Sequence, residues 1–344
     1  MNSRNYRQNC GIKLRSSKFE ERYALQNLDL TSALQKIDYP VYFETTKIPL
    51  PTDAEGIAHY MLEEKILVKQ DNGLYAITNL GAILFGKRLL DFDRISRKAI
   101  RVVQYNGNSR INILKTEEIE RGYVPGFEGL MKYLEALIPS KEVIEGAKRE
   151  KITAYPLEAL REAIANALIH QDFAITGAGP TIELFDKRIE ITNPGIPLVD
   201  IKRIIDTPPH SRNEKLASLM RRLRMCEEFG TGWDRIVVLC ELYRLPAPKI
   251  EVLHESTRVT LFSEMAFTNI SPEEKLWACY LHACIQHVQG NHLTNSSLRE
   301  RFGVTSSASA SISRLIKEAV EIGLIKPLDP TTAPRYMRYI PAWA

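Results

Sequence analysis

The stretch YPLEALREAIANALIHQDF, Tyr155 to Phe173, constrains this chain more than any other. Pro156 stands where a helix begins, a position at which its missing N–H is harmless. Leu157, Leu160, Ile164 and Leu168 recur at helical spacing and form a core stripe. Glu162 and Asn166 are four residues apart, so they share one helical face. A carboxylate and a carboxamide one turn apart can act together, the amide oxygen ligating magnesium while the carboxylate orients a water. The same spacing also fits a plain polar face, so its meaning depends on the neighbouring segments.

The next segment toward the C-terminus is GPTIELFDKRIEITNPGIPL. It reads as two short strands, Thr181 to Phe185 and Arg188 to Thr192, joined at Asp186–Lys187 and ending in Asn193-Pro194-Gly195. Further on, Gly230-Thr231-Gly232 precedes an apolar helix from Trp233 to Leu242. Glycines at a helix N-terminus let the backbone approach a phosphate, and the N–H groups there favour anions. PKIEVLHESTRVTLF supplies two closing strands that end near Phe262.

In this order the segments resemble the GHKL ATPases, the group that includes gyrase B, histidine kinases and MutL. LREAIANALIHQDF, IEITNPGIP, SRNEKLASLM and EEFGTGWDRI are similar to the GHKL-type domain of bacterial RecG-like helicase-related proteins and transcriptional regulators, and YAITNLGAILFGK resembles a further segment of that family. The resemblance implies an α/β (α+β) sandwich of the GHKL, or Bergerat, type. It implies ATP and Mg2+ as cofactors, Glu162 as general base and Asn166 as magnesium ligand. Gly195 would let the adenine approach, and Arg212, Gly230, Thr231 and Gly232 would surround the phosphates, with Ser211 to Leu223 in a lid. His170 and Asp172 lie in the matching segment, as a helix-end hydrogen-bond pair or as part of the chemistry. The family box D-x-G-x-G becomes ITNPG here, so Asn193 is the candidate to meet the base through its amide oxygen. Larger family members carry an N-terminal Schlafen-type AlbA domain. GIKLRSS resembles only its last residues, and the chain is expected to lack most of it.

GAILFGKRLL, Gly81 to Leu90, nearly spells a P-loop. Its variable positions are Ala82, Ile83, Leu84 and Phe85, which suit burial, and Arg88 replaces the magnesium-binding hydroxyl. The string is expected to be a buried helix, so no helicase motor is expected. Before it, AEGIAHYMLEEKIL is periodic as a helix, and ILVKQDNGLYAIT reads as a hairpin about Asp71-Asn72-Gly73. Residues 1–45 read as a basic arm or adaptor, 46–150 as a helix, hairpin and strand region with charged helical patterns over 111–150, and 151–265 as the nucleotide-binding core.

Residues 270–344 are expected to form a winged helix-turn-helix. SPEEKLWACYLHACIQHV opens on a capping box, Ser271 with Glu274. TNSSLRERFGVTSSASASISRLIKEAV then gives helix, turn and helix, the second from about Ser306. Ser307 and Ser309 at that helix start, with Arg314, Lys317, Arg335 and Arg338, are the candidate DNA contacts. His282, His287 and His292 are five apart, off the spacing of a helical metal site.

A net charge of +4 on 344 residues permits a local nucleic-acid face without demanding one. The five cysteines have no C-x-x-C pair, and no apolar run reaches the roughly 20 residues of a membrane span. The expectation is a cytoplasmic, ATP-binding and DNA-binding regulator, possible as a homodimer. A slow Mg-dependent ATPase, and a degenerate scaffold acting through protein or DNA contacts, stay open beside it.

Overall fold

A short strand with no alternation can still be fixed by backbone pairing, and β1 (Tyr23–Leu28) is such a case. The computed structural model describes residues 18–145, 148–208, 210–226 and 232–344. Within it β1 pairs antiparallel with β3, so Tyr23–Leu28, inside the stretch read as a basic arm or adaptor, form one strand of a three-stranded sheet. The elements after β1 are α1 (Leu30–Lys36), α2 (Tyr39–Thr46), α3 (Ala54–Glu63), β2 (Leu67–Lys69), β3 (Tyr75–Thr78) and α4 (Asn79–Phe85). Thr78 caps α4 by accepting from the Gly81 N–H at 2.9 Å. Every residue of α4 is buried. A β-carbon on Gly81 would lie 2.4 Å from the Ile66 carbonyl oxygen, so this glycine is a packing point and the string is no phosphate loop.

The central layer contains β4 (Ile100–Tyr105), β5 (Ile113–Ile119), α5 (Tyr123–Leu137), β6 (Ser140–Glu145), β7 (Lys148–Thr153), α6 (Leu157–Ile169), β8 (Thr181–Leu184) and β9 (Arg188–Pro194). It continues with α7 (Glu214–Arg222), α8 (Gly232–Leu242), β10 (Lys249–Leu253) and β11 (Ser256–Phe262). Six of these strands form one sheet in the order β10-β11-β9-β8-β4-β5. Only the β4–β8 pairing is parallel; the other four pairs are antiparallel. Helices α6 and α8 pack on each other, and α6 lies against β9. The result is a mixed α/β fold around a six-stranded sheet.

The helical expectation over 111–150 holds only for α5. β5 is exposed along almost its whole length, so it lacks a period-two apolar signal, and its backbone pairing with β4 decides its conformation. β6 and β7 pair with each other from Ser140↔Thr153 to Glu145↔Lys148. Their Lys- and Glu-rich sequence favours helix locally, and pairing overrides it.

The last elements are α9 (Pro272–Val288), α10 (Asn295–Arg301), α11 (Ser309–Glu321), β12 (Ile325–Pro327) and β13 (Tyr339–Pro341). Ser271 and Glu274 form the expected capping box. α11 begins at Ser309, after a 3-10 turn over Ser306–Ala308, slightly later than the sequence suggested. The strands β12 and β13 pair antiparallel. One cluster of buried apolar side chains runs from Ala33 to Ile325. No helix among the described residues is long and apolar enough to cross a membrane.

Candidate functional site

Helix α6 turns its apolar stripe into the core, with Leu160, Ile164 and Leu168 at most 1% exposed. The same geometry sends residues 162, 166 and 170 along another face. Glu162, Asn166 and His170 all line one cavity of about 360 Å3. Sequence spacing gave the first two their pairing; His170 extends the row by one more turn.

Elements of the sheet and of the following helices close the cavity. Asn193, near the end of β9, is 4% exposed and lines it. In the next strand Thr257 faces Asn193 in register. Gly195 comes directly after β9 at φ +109°, a conformation that favours glycine. Its N–H donates to the Glu255 carbonyl at 2.7 Å, and its carbonyl accepts from the Thr257 hydroxyl at 2.6 Å. A β-carbon there would also lie 2.6 Å from Arg212 Nη1. Gly195 therefore stands behind the cavity wall, as the seat of Arg212, and does not itself line the space.

Arg212 comes from the segment that leads into α7. Its Nη2 donates to the Ile196 carbonyl at 2.6 Å, and its Nη1 lies 3.4 Å from Asp172 Oδ2. Asn213, next to it, donates to the carbonyls of Ile169 and Gln171, which ties the start of α7 to the end of α6. Glu20 completes the anchorage from the far end of the chain, accepting from the Leu216 N–H at 2.5 Å. Burial raises the Glu20 carboxyl pKa above its usual value against the opposing pull of those backbone N–H groups.

Gly232 opens α8 directly beneath Glu162. A β-carbon at this position would lie 2.0 Å from Glu162 Oε1 and 3.1 Å from Asn166 Nδ2. Only a glycine leaves the carboxylate its place. Gly230 and Thr231 lie outside the described residues.

Burial and the nearby Arg212 guanidinium push the His170 imidazole down to about 4, so it is neutral near pH 7. Burial pushes the Asp234 carboxyl of α8 up to about 6, with the Asp206 carboxylate adding to the shift.

Sequence reasoning missed the apolar side of the cavity. Ile196, Pro197, Leu198 and Val199 line it after the glycine turn, and Trp233, Ile250 and Val259 line it from α8 and the sheet. The run GIPLV was the available signal, an apolar stretch in a loop. Trp233 Nε1 is buried and has no hydrogen-bond partner among the described residues. A buried donor at a cavity wall is a natural contact for a ligand acceptor.

The candidate DNA residues lie apart from this cavity. Ser307, Arg314, Lys317, Arg335 and Arg338 are exposed, and Ser309 is half-buried, bonded to Asn295. Arg314 reaches Ser311 at 3.4 Å, and Lys317 lies 3.6 Å from Glu321. Arg335 and Arg338 sit in the connection between β12 and β13.

Residues 177–261 match a family model described as "Putative ATP-dependent DNA helicase recG C-terminal". The match gives the chain an ATPase-like domain from the loop before β8 to the end of β11; Glu162 and Asn166 precede it. Among solved structures, the DIP2311 protein from Corynebacterium diphtheriae is similar, with a TM-score of 0.59 and 16% identity. The likeness covers 94% of this chain and 64% of that one, so this chain spans under two thirds of the other's length. At that identity it is a likeness of fold. No curated protein matches.

Proposed function

We propose that the cavity binds ATP with Mg2+, and that the chain is a nucleotide-sensing regulator that engages DNA through its C-terminal helices. The observation that carries this reading is the convergence of Glu162, Asn166, Arg212 and Gly232, from three separate helical regions, on one concave space. An apolar wall, a cation and a carboxylate–carboxamide pair suit a base, its phosphates and a metal in turn. The donor set fits magnesium, which takes few protein ligands and completes its shell with phosphate oxygens and water. Asn166 would hold the ion, and Glu162 lies on the same face to orient a water; the ion would neutralise phosphate charge.

Mg-ATP calorimetry tests the reading. The wild type is expected to bind, with Asn166→Ala weakening binding about tenfold or more through loss of the ion's ligand. Absence of heat for the wild type at millimolar nucleotide would leave the degenerate scaffold as the better account. Burial of the Glu162 carboxylate at the cavity wall favours a second reading, slow ATP hydrolysis with this residue as base. Glu162→Ala should then retain binding and lose phosphate release.

The C-terminal helices and paired strands are read as a winged helix, with Ser307, Ser309, Arg314, Lys317, Arg335 and Arg338 toward DNA. Duplex binding that falls steeply with salt, and that Arg314→Glu with Lys317→Glu abolishes, is the expected result. Helix α8 is the proposed link between the two activities. Its first residue lies under Glu162, and Glu241 near its end contacts His282 of α9 and Arg301 of α10.

A further inference from the structure

Arg212 lines a second cavity as well as the first. This second space is about 670 Å3, within the usual range of about 300–1,000 Å3 for small-molecule sites. The N-terminal segment, the loop after α6 and Arg94 form its walls. Phe19 and Phe173 stack at 4.7 Å with their planes 8° apart and supply a flat apolar side.

The charge in this cavity is unequal. Lys18, Arg22, Arg94 and Arg212 face it, against the carboxylates of Glu20 and Asp172. Both carboxylates are already engaged, and on the cationic side Lys18 is held by Glu214 at 2.7 Å and Arg212 by Asp172 at 3.4 Å. Glu20 accepts from the backbone N–H groups of Leu216 and Lys215 at the start of α7. Asp172 accepts from the Ala174 N–H at 2.9 Å and lies 3.4 Å from Arg212. Behind Phe173, the buried Lys98 donates to the carbonyls of Ile175 and Ala178. No carboxylate among the described residues forms an ion pair with it, so it adds to the positive charge behind the wall.

We propose that this cavity is a second binding site, for a small phosphate-bearing anion, coupled to the first cavity through the shared Arg212. Guanidinium groups present planar forks of donors that match the several oxygens of a phosphate. A concave pocket with an aromatic side suits a small molecule better than a duplex. Arg212 donates to the carbonyl of Ile196, a residue of the first cavity's apolar wall. An anion that draws the guanidinium across loosens that wall. Coupling of this kind is reciprocal, so ligand in either cavity changes affinity in the other. The coupling rests on the nucleotide reading of the first cavity; the site does not.

The test titrates the full chain with inorganic pyrophosphate, comparing wild type with Arg94→Glu, a position that lines only the second cavity. Pyrophosphate is expected to bind the wild type, and charge reversal should weaken it about tenfold. Mg-ATP affinity measured without pyrophosphate should stay within about twofold. Saturating pyrophosphate should shift the wild-type Mg-ATP affinity to a plateau, and the variant should lose that shift. Equal pyrophosphate affinity in both proteins overturns the site, as does no binding at millimolar concentration. A variant that loses duplex DNA but keeps pyrophosphate overturns it in favour of a nucleic-acid edge. If the wild type binds no Mg-ATP, the pyrophosphate comparison still decides the second cavity alone.

Discussion

Helix α8 meets charged groups at both ends, and the ends differ in whether a cavity adjoins them. At its start, Gly232 and the Glu162 carboxylate border an open space of about 360 Å3 with Arg212 and Arg221 on its lining. Near its finish, Glu241 meets His282 at 2.9 Å and Arg301 at 3.7 Å. Arg301 is 4% exposed and also donates to the Leu245 carbonyl at 3.0 Å. Charges whose partners come from the chain itself act as a fastening. Polar groups arranged around a space act as a receptor. One helix carries both, and the proposed link between nucleotide and the C-terminal helices runs along it.

The sharpest way to break this contrast is to fill the open end. Gly232→Val puts a branched side chain where a single β-carbon would already lie 2.0 Å from Glu162 Oε1. Mg-ATP binding, read by calorimetry, should fall at least about a hundredfold, since both the carboxylate and Asn166 must move. A cooperative unfolding transition checks that the variant is folded. Wild-type affinity in this variant would place the nucleotide elsewhere.

The sealed end should respond in stability. Arg301→Ala leaves the half-buried Glu241 to His282 alone and removes the buried guanidinium's bond to the Leu245 carbonyl, and such a loss costs about 1–3 kcal/mol in urea unfolding. Mg-ATP affinity of the folded fraction should change much less than in Gly232→Val. A stability loss below about 1 kcal/mol would mean that the contact is ornamental.

The two ends also differed in how far the sequence exposed them. Glu162 and Asn166 were legible because helical periodicity fixes which residues share a face, and Gly232 because a glycine pair precedes an apolar helix. The sealed end was not, since Glu241, His282 and Arg301 sit on three helices and no spacing rule joins them. Glu20 was hidden for the same reason, at a sequence separation of 196 from Leu216. Trp233 counted only as one more apolar residue, because its Nε1, unpartnered among the described residues, is visible only in three dimensions. β5 and the β6–β7 hairpin were misread as helical, because local propensity was the only guide to strands whose pairing decides the matter.

Glu20 offers a smaller effect that sharpens the receptor side. Glu20→Ala removes the side-chain acceptor from the Leu216 and Lys215 N–H groups, in the manner of a lost helix cap. The expected cost is about 0.5–2 kcal/mol. It should appear as faster amide exchange in α7 ahead of the rest of the chain. Unchanged exchange in α7 would show that Asn213 alone secures the start of that helix.

The smallest expected signal is in pH dependence, where two groups near the open end oppose each other. His170 falls to about 4 in the folded protein from an unfolded value near 6.5. Between those values the unfolded chain binds more protons at this site, so stability rises with pH across that window. Asp234 rises to about 6 from an unfolded value near 3.8. Between those values the folded chain binds more protons at this site, so stability falls as pH rises. The windows overlap from about pH 4 to 6, and the two slopes largely cancel in the wild type. Relative to wild type, His170→Gln should therefore tilt stability downward with rising pH, and Asp234→Asn should tilt it upward. Urea midpoints taken across that range give both slopes. Parallel curves for the two variants would mean that neither group is held as its burial implies, and the open end would then be wetter than its walls suggest.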